Sequence, residues 1–335
     1  MIELELSDKQ LRAFDILDDP EILELLYGGG GRSGKTFLGA QYFILKCLEC
    51  EGSKWLVGRE SLKKLKRTTI LSFFKALRLL GLKEGIDWKF NAQESIMIFS
   101  RANGSWDNPS TIFFEEMRLL PSDPEFDRFG SFDLSGGWID ECQEVNVAAR
   151  HVLQTRYSEL SGTNCDGTKW ELKKGVTLLT CNPKINWIYY DFVKPAKSGT
   201  LAKGRAFLPA LFTDNPFIDQ ESYKRGILAT GNKRYIERIL YGNFDFDDDP
   251  LLLFDLDSIN DMWTNVLEEK VGKYLTVDVA RMGGEYIVVG YWEGWDLKKV
   301  YYWKKAKTTE SEARIIEIRD RHRVPASHVV IDEDG

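Results

Sequence analysis

The residues best equipped for chemistry lie near the N-terminus. Gly29-Gly30-Gly31-Arg32-Ser33-Gly34-Lys35-Thr36 matches the phosphate-loop pattern G-x-x-x-x-G-K-[ST] at every fixed position. A triphosphate is held by several backbone N–H groups at once, and glycines let the chain curl tightly because no Cβ stands in the way. The helix that follows adds the positive end of its dipole. In that frame Lys35 reaches the β- and γ-phosphates of ATP, and Thr36 offers its hydroxyl to Mg2+. Arg32, inside the loop, either senses the γ-phosphate or points to solvent; its type alone leaves both open. Well downstream, Trp138-Ile139-Asp140-Glu141 ends an apolar pair on two acids. At the C-terminal end of a strand, Asp140 would face the Mg2+ and Glu141 would polarise the attacking water.

Those groups need elements to aim them. Leu25-Leu26-Tyr27 reads as a short strand running into glycines, and Lys35 to Cys50 as the helix after the loop, with Gly52 as its stop. Ahead of them, residues 6–18 read as a helix with Ser7 as N-cap and Leu11, Phe14 and Leu17 at helical spacing. Trp55-Leu56-Val57 is a second strand, and one basic helix follows to about Leu80. Residues 95–99, 111–114, 132–139 and 176–180 read as further strands, the last ending at Asn182-Pro183. Strands alternating with helices predict an α/β domain with a largely parallel sheet. The pattern changes after about residue 200. Thr213-Asp214-Asn215-Pro216 is a turn, 219–240 one or two charged helices, and 244–250 a surface linker. Strands are then expected at 274–277, 286–291, 299–303 and 329–331, with a helix near 311–321.

With 335 residues, 43% hydrophobic and 29% charged, the composition is that of a globular chain of about two domains, and low-complexity disorder is excluded. No run of 18 apolar residues marks a membrane span, and Met1-Ile2-Glu3-Leu4-Glu5 is not a secretory signal. The formal charge of −7 argues against a general nucleic-acid coat protein, but phosphate contact depends on local patches. Two exist: Lys63, Lys64, Lys66 and Arg67, and the set Lys224, Arg225, Lys233, Arg234 and Arg238. Each reads either as a phosphate contact or as a solvated helix face. Five scattered cysteines make no disulfide framework, and Cys47-x-x-Cys50, on a helix with no second pair, reads as packed thiols. The three histidines form no cluster.

Taken in order, these motifs resemble the large subunit of tailed-bacteriophage terminases, the DNA-packaging ATPase/nuclease. The Walker A loop comes first, then Trp138-Ile139-Asp140-Glu141-Cys142-Gln143-Glu144 like the Walker B segment, then Thr180-Cys181-Asn182-Pro183 like the coupling motif. Asp214-Asn215-Pro216 and Tyr241-Gly242-Asn243-Phe244 match the connecting region. Thr276-Val277-Asp278-Val279-Ala280-Arg281-Met282-Gly283-Gly284 and Val330-Ile331-Asp332-Glu333-Asp334-Gly335 look like the acidic strands of an RNase H-like nuclease. The resemblance implies an α/β P-loop NTPase of the ASCE type followed by a partial RNase H-like domain. The divisions are then 1–205 for the ATPase, 206–262 for a connecting subdomain and 263–335 for the N-terminal part of the nuclease, which the family continues with more helix and a third carboxylate.

The resemblance also implies roles. Gln10 reads adenine, Thr180 and Asn182 carry the γ-phosphate state onward, and Asp278 and Asp332 hold Mg2+ or Mn2+ at the nuclease, with Glu285 a further candidate. The nucleotide-binding set is thus Gln10, Gly29, Gly30, Gly31, Arg32, Ser33, Gly34, Lys35, Thr36, Asp140, Thr180 and Asn182; Lys35 and Glu141 carry the ATP chemistry. Implied partners are double-stranded DNA, a portal protein, a small terminase subunit and further copies in a ring. An Arg would act in trans, chosen from Arg59, Arg101, Arg118, Arg128 and Arg156. The setting implied is the host cytoplasm, docked on the procapsid portal, with no membrane. The competing reading is a nucleotide-gated DNA-binding or helicase-like remodelling ATPase that does not cut.

Overall fold

Leu25 and Tyr27 turn to one side of the sheet and Leu26 to the other. The same alternation sets Trp55 and Val57 against Leu56, Trp138 against Ile139 and Leu178 against Leu179. Strands apolar on both faces must be covered twice, which is the condition of a parallel sheet between two layers. The computed structural model, which describes residues 6–246, 272–279, 286–304 and 308–332, has that form. The chain divides into two compact units, Met1–Leu253 and Phe254–Gly335.

In the first unit the strands are β1 (Glu24–Gly29), β2 (Lys54–Arg59), β3 (Trp88–Asn91), β4 (Ile96–Phe99), β5 (Ser110–Glu116), β6 (Gly136–Ile139), a small hairpin of β7 (Ser161–Thr163) and β8 (Lys169–Glu171), β9 (Val176–Cys181) and β10 (Arg205–Ala210). The main sheet has the order β10-β1-β9-β6-β2-β5-β4-β3. It is parallel from β10 to β5, and β4 and β3 add an antiparallel edge. Helix α1 (Asp8–Asp18) starts from a capping box in which Ser7 and Gln10 bond each other's backbone. Helix α2 (Lys35–Glu49) follows the loop after β1 and carries Leu38, Phe43 and Ile44 into the core.

Three expectations need correcting. The basic helix after β2 is two helices, α3 (Leu62–Arg67) and α4 (Thr69–Leu79), because Thr68 adopts φ −130° and ψ −69°. Of 132–139 only Gly136–Ile139 is strand, lying between β9 and β2. Its glycines are forced: a Cβ on Gly136 would lie 2.8 Å from the Trp55 ring and 2.8 Å from the Val176 carbonyl oxygen. Phe244, expected on a surface linker, is buried, and Asp245 accepts from Tyr189 Oη at 2.8 Å and pairs with Lys197. The rest of that linker, residues 247–250, lies outside the described residues. Residue 205, where the first division was drawn, opens β10, an edge strand that tolerates Pro209 there.

Away from the loop, a buried ionic knot ties four segments. Arg150 on α5 (Val147–Gln154) has no exposure and donates to both Glu24 carboxylate oxygens at 2.6 and 2.7 Å and to Asp191 at 2.6 Å. Arg205 donates to the same Glu24 at 2.9 Å. A short helix, α6 (Lys194–Ser198), follows Asp191 and precedes β10. Residues 212–240 form a small apolar cluster of their own on Phe212, Ile227 and Leu240. Helices α7 (Gln220–Leu228) and α8 (Lys233–Tyr235) lie in that stretch, α7 supplying Ile227, and the π-helical turn Ile236–Leu240 that continues α8 supplies Leu240.

The second unit is a four-stranded sheet of β11 (Lys273–Asp278), β12 (Tyr286–Glu293), β13 (Asp296–Lys304) and β14 (Val329–Ile331), in the order β13-β12-β11-β14. Strands β11 and β14 are parallel and the other pairs antiparallel. Helix α9 (Thr308–His322) contributes Ile318 to a core with Leu275, Val277, Val289 and Tyr291. Among the described residues no helix is long and apolar enough to cross a membrane.

Candidate active site

The loop from β1 to α2 closes on itself. Gly29 at φ +143° and Gly34 at φ +86° take backbone conformations that favour glycine, and Arg32 at φ +57° completes the curl. A Cβ on Gly29 would strike the Ala210 carbonyl oxygen at 2.1 Å, so the first fixed glycine is a packing requirement of β10 as well. The Lys35 ammonium sits in the hollow, donating to the carbonyls of Gly29 (3.2 Å) and Gly30 (2.6 Å) and to Ser33 Oγ (3.0 Å). Burial pulls its pKa down, against the upward pull of Cys181, Glu141 and Asp140. Arg32 is exposed.

Strands β1, β6 and β9 are neighbours, so their C-terminal ends deliver the other groups to the same place. Asp140, 2% exposed, is the meeting point. One of its carboxylate oxygens accepts from Thr36 Oγ1 at 3.4 Å and from Thr180 Oγ1 at 2.8 Å; the other accepts from Thr69 Oγ1 at 2.6 Å. Trp138 Nε1 donates to Thr180 Oγ1 at 2.8 Å and fixes that hydroxyl. Glu141 stands at φ +51°, a conformation uncommon outside glycine, so the backbone turns the two consecutive acids different ways. Asn182 Nδ2 donates to Glu141 at 3.1 Å, and Gln143 Nε2 donates to it as well. Burial raises the Glu141 pKa, the Asp140 charge raises it further, and Gln143, Arg59 and Lys35 oppose the rise.

The expected residues thus meet: Gly29 to Thr36, Asp140, Glu141, Thr180 and Asn182 share one site. Gln10 joins them from α1, donating through Nε2 to the Gly34 carbonyl at 3.2 Å while its Oε1 accepts from Ser7 N. Asn215 holds the loop from the other side, donating to the Arg32 carbonyl at 2.8 Å. Sequence reasoning missed Thr69, Gln143 and Trp138 as site-builders. Gln143 was within reach, two residues past Glu141, whereas Thr69 gives no signal until α4 is packed. Of the five arginines, Arg59 is the one whose charge bears on Glu141; Arg101 is paired with Glu51 and Arg128 with Asp123. Cys47 and Cys50 are buried, free thiols, and burial pushes the Cys50 thiol up to about 11.

In the second unit, Val277 on β11 pairs with Ile331 on β14, and Asp332 N donates to the Val277 carbonyl at 2.9 Å. Asp278 and Asp332 therefore sit side by side at one end of two parallel strands, both exposed, and line one shallow hollow with Thr276 and Trp292. Glu285, Glu333 and Asp334 lie outside the described residues, among which no group of three metal-binding side chains occurs.

No protein-family model matches this chain, and no curated protein does. Solved structures do match. The large terminase from a thermophilic bacteriophage is similar over 98% of this chain and 78% of its own, with TM-score 0.53 and 16% identity. The complex of that terminase with ADP gives 0.54 at 15% identity over 98% and 78% of the two chains, and its complex with ATP-γ-S gives 0.53 at 15% over the same shares. This chain has the fold of those large terminase chains, with an α/β, mostly parallel sheet of the P-loop NTPase kind. The resemblance carried by the ordered motifs is met at the level of the fold.

Proposed function

We propose that this chain is an ATP-hydrolysing motor of the large-terminase kind, which drives double-stranded DNA into a procapsid and cuts it with a metal-dependent endonuclease. One observation carries the ATPase reading: three threonine hydroxyls from separate elements converge on Asp140, beside the Lys35 loop, with Glu141 held next to them. Burying a carboxylate that hydroxyls satisfy but no cationic side chain among the described residues bonds directly still costs desolvation, and such a group is well suited to ordering the surroundings of a nucleotide-bound cation. Thr36 and Asp140 offer hard oxygen donors, the kind Mg2+ takes. When bound, Mg2+ would neutralise charge between the β- and γ-phosphates. The loop N–H groups and Lys35 bind the phosphates, Gln10 and Asn215 hold the loop in shape, and Glu141 accepts the proton of the attacking water. Asn182, bonded to Glu141, carries the state of the site to the segment after β9. Lys35→Ala or Glu141→Gln should lower ATP turnover by about 10²–10³, the usual loss for one charge-stabilising group. Near-normal turnover in either variant rejects the assignment.

The nuclease reading rests on Asp278 and Asp332. Two exposed carboxylates at the ends of adjacent parallel strands are hard oxygen donors that would hold Mg2+ or Mn2+, which would activate water and stabilise the leaving oxygen in phosphodiester cleavage. The test is nicking of supercoiled plasmid with Mn2+: Asp278→Asn and Asp332→Asn should abolish it and leave ATP turnover intact. Nicking that persists in both variants removes the two residues from the chemistry. A wild-type protein that hydrolyses ATP and never nicks favours a remodelling ATPase over a cutting motor. Family resemblance supplies the remaining partners, a portal protein, a small terminase subunit and a homo-oligomeric ring, and the setting in the host cytoplasm at the procapsid portal.

A further inference from the structure

Helix α3 carries four cations in six residues, Lys63, Lys64, Lys66 and Arg67, all exposed, and is anchored by the fully buried Leu65. Two of the four are spent. Lys64 pairs with Glu144 at 2.9 Å, and Lys66 donates to the Ala92 carbonyl at 3.1 Å. Lys63 and Arg67 have no hydrogen bond or ion pair among the described residues. Four apart on a helix, they share one face. In a chain of net charge −7 this is a local reversal of sign.

The patch is wired to the ATP site. Thr68, which separates α3 from α4, donates its hydroxyl to the Lys64 carbonyl (2.9 Å) and accepts from Arg59 Nη1 (2.6 Å). The next residue, Thr69, donates to Asp140 (2.6 Å). Arg59 also faces Glu144 at 4.0 Å, the acid that holds Lys64. A displacement of α3 therefore reaches Asp140 through Thr68 and Thr69.

Resting on the motor reading above, we propose that α3 is a contact for the phosphate backbone of duplex DNA, made by Lys63 and Arg67, and that its occupancy sets the rate of ATP hydrolysis through Thr68 and Thr69. Each phosphate neutralised contributes about 0.9 to the slope of log K against log salt. The whole protein carrying Lys63→Gln and Arg67→Gln should bind a random-sequence duplex with a slope shallower by about 2. It should keep its DNA-free ATPase rate and lose the increase that duplex brings. Lys173→Gln with Lys203→Gln removes equal charge from exposed sites elsewhere and should leave slope and stimulation as in the wild type. Thr69→Val should bind duplex with wild-type affinity but show a reduced ratio of stimulated to basal turnover. Melting temperatures confirm that each variant is folded. An unchanged slope in the Lys63/Arg67 variant, an equal change in the Lys173/Lys203 variant, or a stronger response to polyglutamate than to duplex overturns the contact. Full stimulation in Thr69→Val overturns the route. A wild-type protein that hydrolyses ATP but ignores duplex altogether sinks the motor reading itself.

Discussion

At the scale of the residue, Glu141 is the group whose surroundings most constrain its chemistry. Burial and the adjacent Asp140 both raise its pKa, which makes it a better proton acceptor than a free glutamate; with Glu141 as the proposed base, the acid limb of kcat/KM should lie above the ordinary glutamate range. Arg59 opposes the rise, so Arg59→Gln should move that limb to higher pH; a limb that stays put removes Arg59 from the site. The sign for stability is opposite. A carboxyl whose folded pKa is raised costs the fold as pH climbs from its unfolded value through its folded one. Glu141→Gln removes that cost and should melt at pH 8 no lower than the wild type, even with the turnover loss expected of it; a fall of several degrees would show that the charge supports the fold. The loop and the Asp-Glu pair were legible in the sequence because their chemistry fixes residue type at fixed spacing. Thr69 was not, because it reaches the site from an element whose place depends on packing; for the same reason Arg59 could be named only as one of five candidate arginines.

At the scale of the element, the glycine-rich strand β6 shows why local pattern misled. Gly136 and Gly137 weaken a strand on propensity alone, yet β6 lies inside the sheet, where bulk comes from Trp55, Leu153 and Tyr157 instead. Gly136→Ala puts a methyl against the Val176 carbonyl, which belongs to the next strand and cannot rotate away. The expected loss is about 1–3 kcal/mol, the usual cost of overpacking, read from urea unfolding; a neutral result would mean that β6 and β9 can part. Strand β10 escaped the sequence reading for a related reason, since Pro209 argues against a strand everywhere except at an edge. The basic helix was read as one because nothing in the identity of Thr68 announces a break; its hydroxyl bonds do.

At the scale of the molecule, the two units present two candidate chemistries on separate cores. The alternation of strands and helices was enough to foresee a parallel α/β sheet first and a strand-rich unit after it. Which residues close each core was not, because Phe244 joins the first through contacts far away in sequence. If the units act independently in chemistry, Asp278→Asn leaves the kcat and KM for ATP unchanged while plasmid nicking disappears. A parallel loss of both would mean that Asp278 serves the fold.

The Arg150 knot bears on any hunt for an arginine lent by a neighbouring subunit. Cutting Arg150 back to Ala leaves the buried Glu24 carboxylate to Arg205 and Gln154 and takes away the fully buried guanidinium that joined it to Asp191, a loss of stability that would lower any ATP turnover for want of folded molecules. A survey that scores turnover alone would crown Arg150 as a finger; pairing each assay with a melting curve tells the girder from the hand.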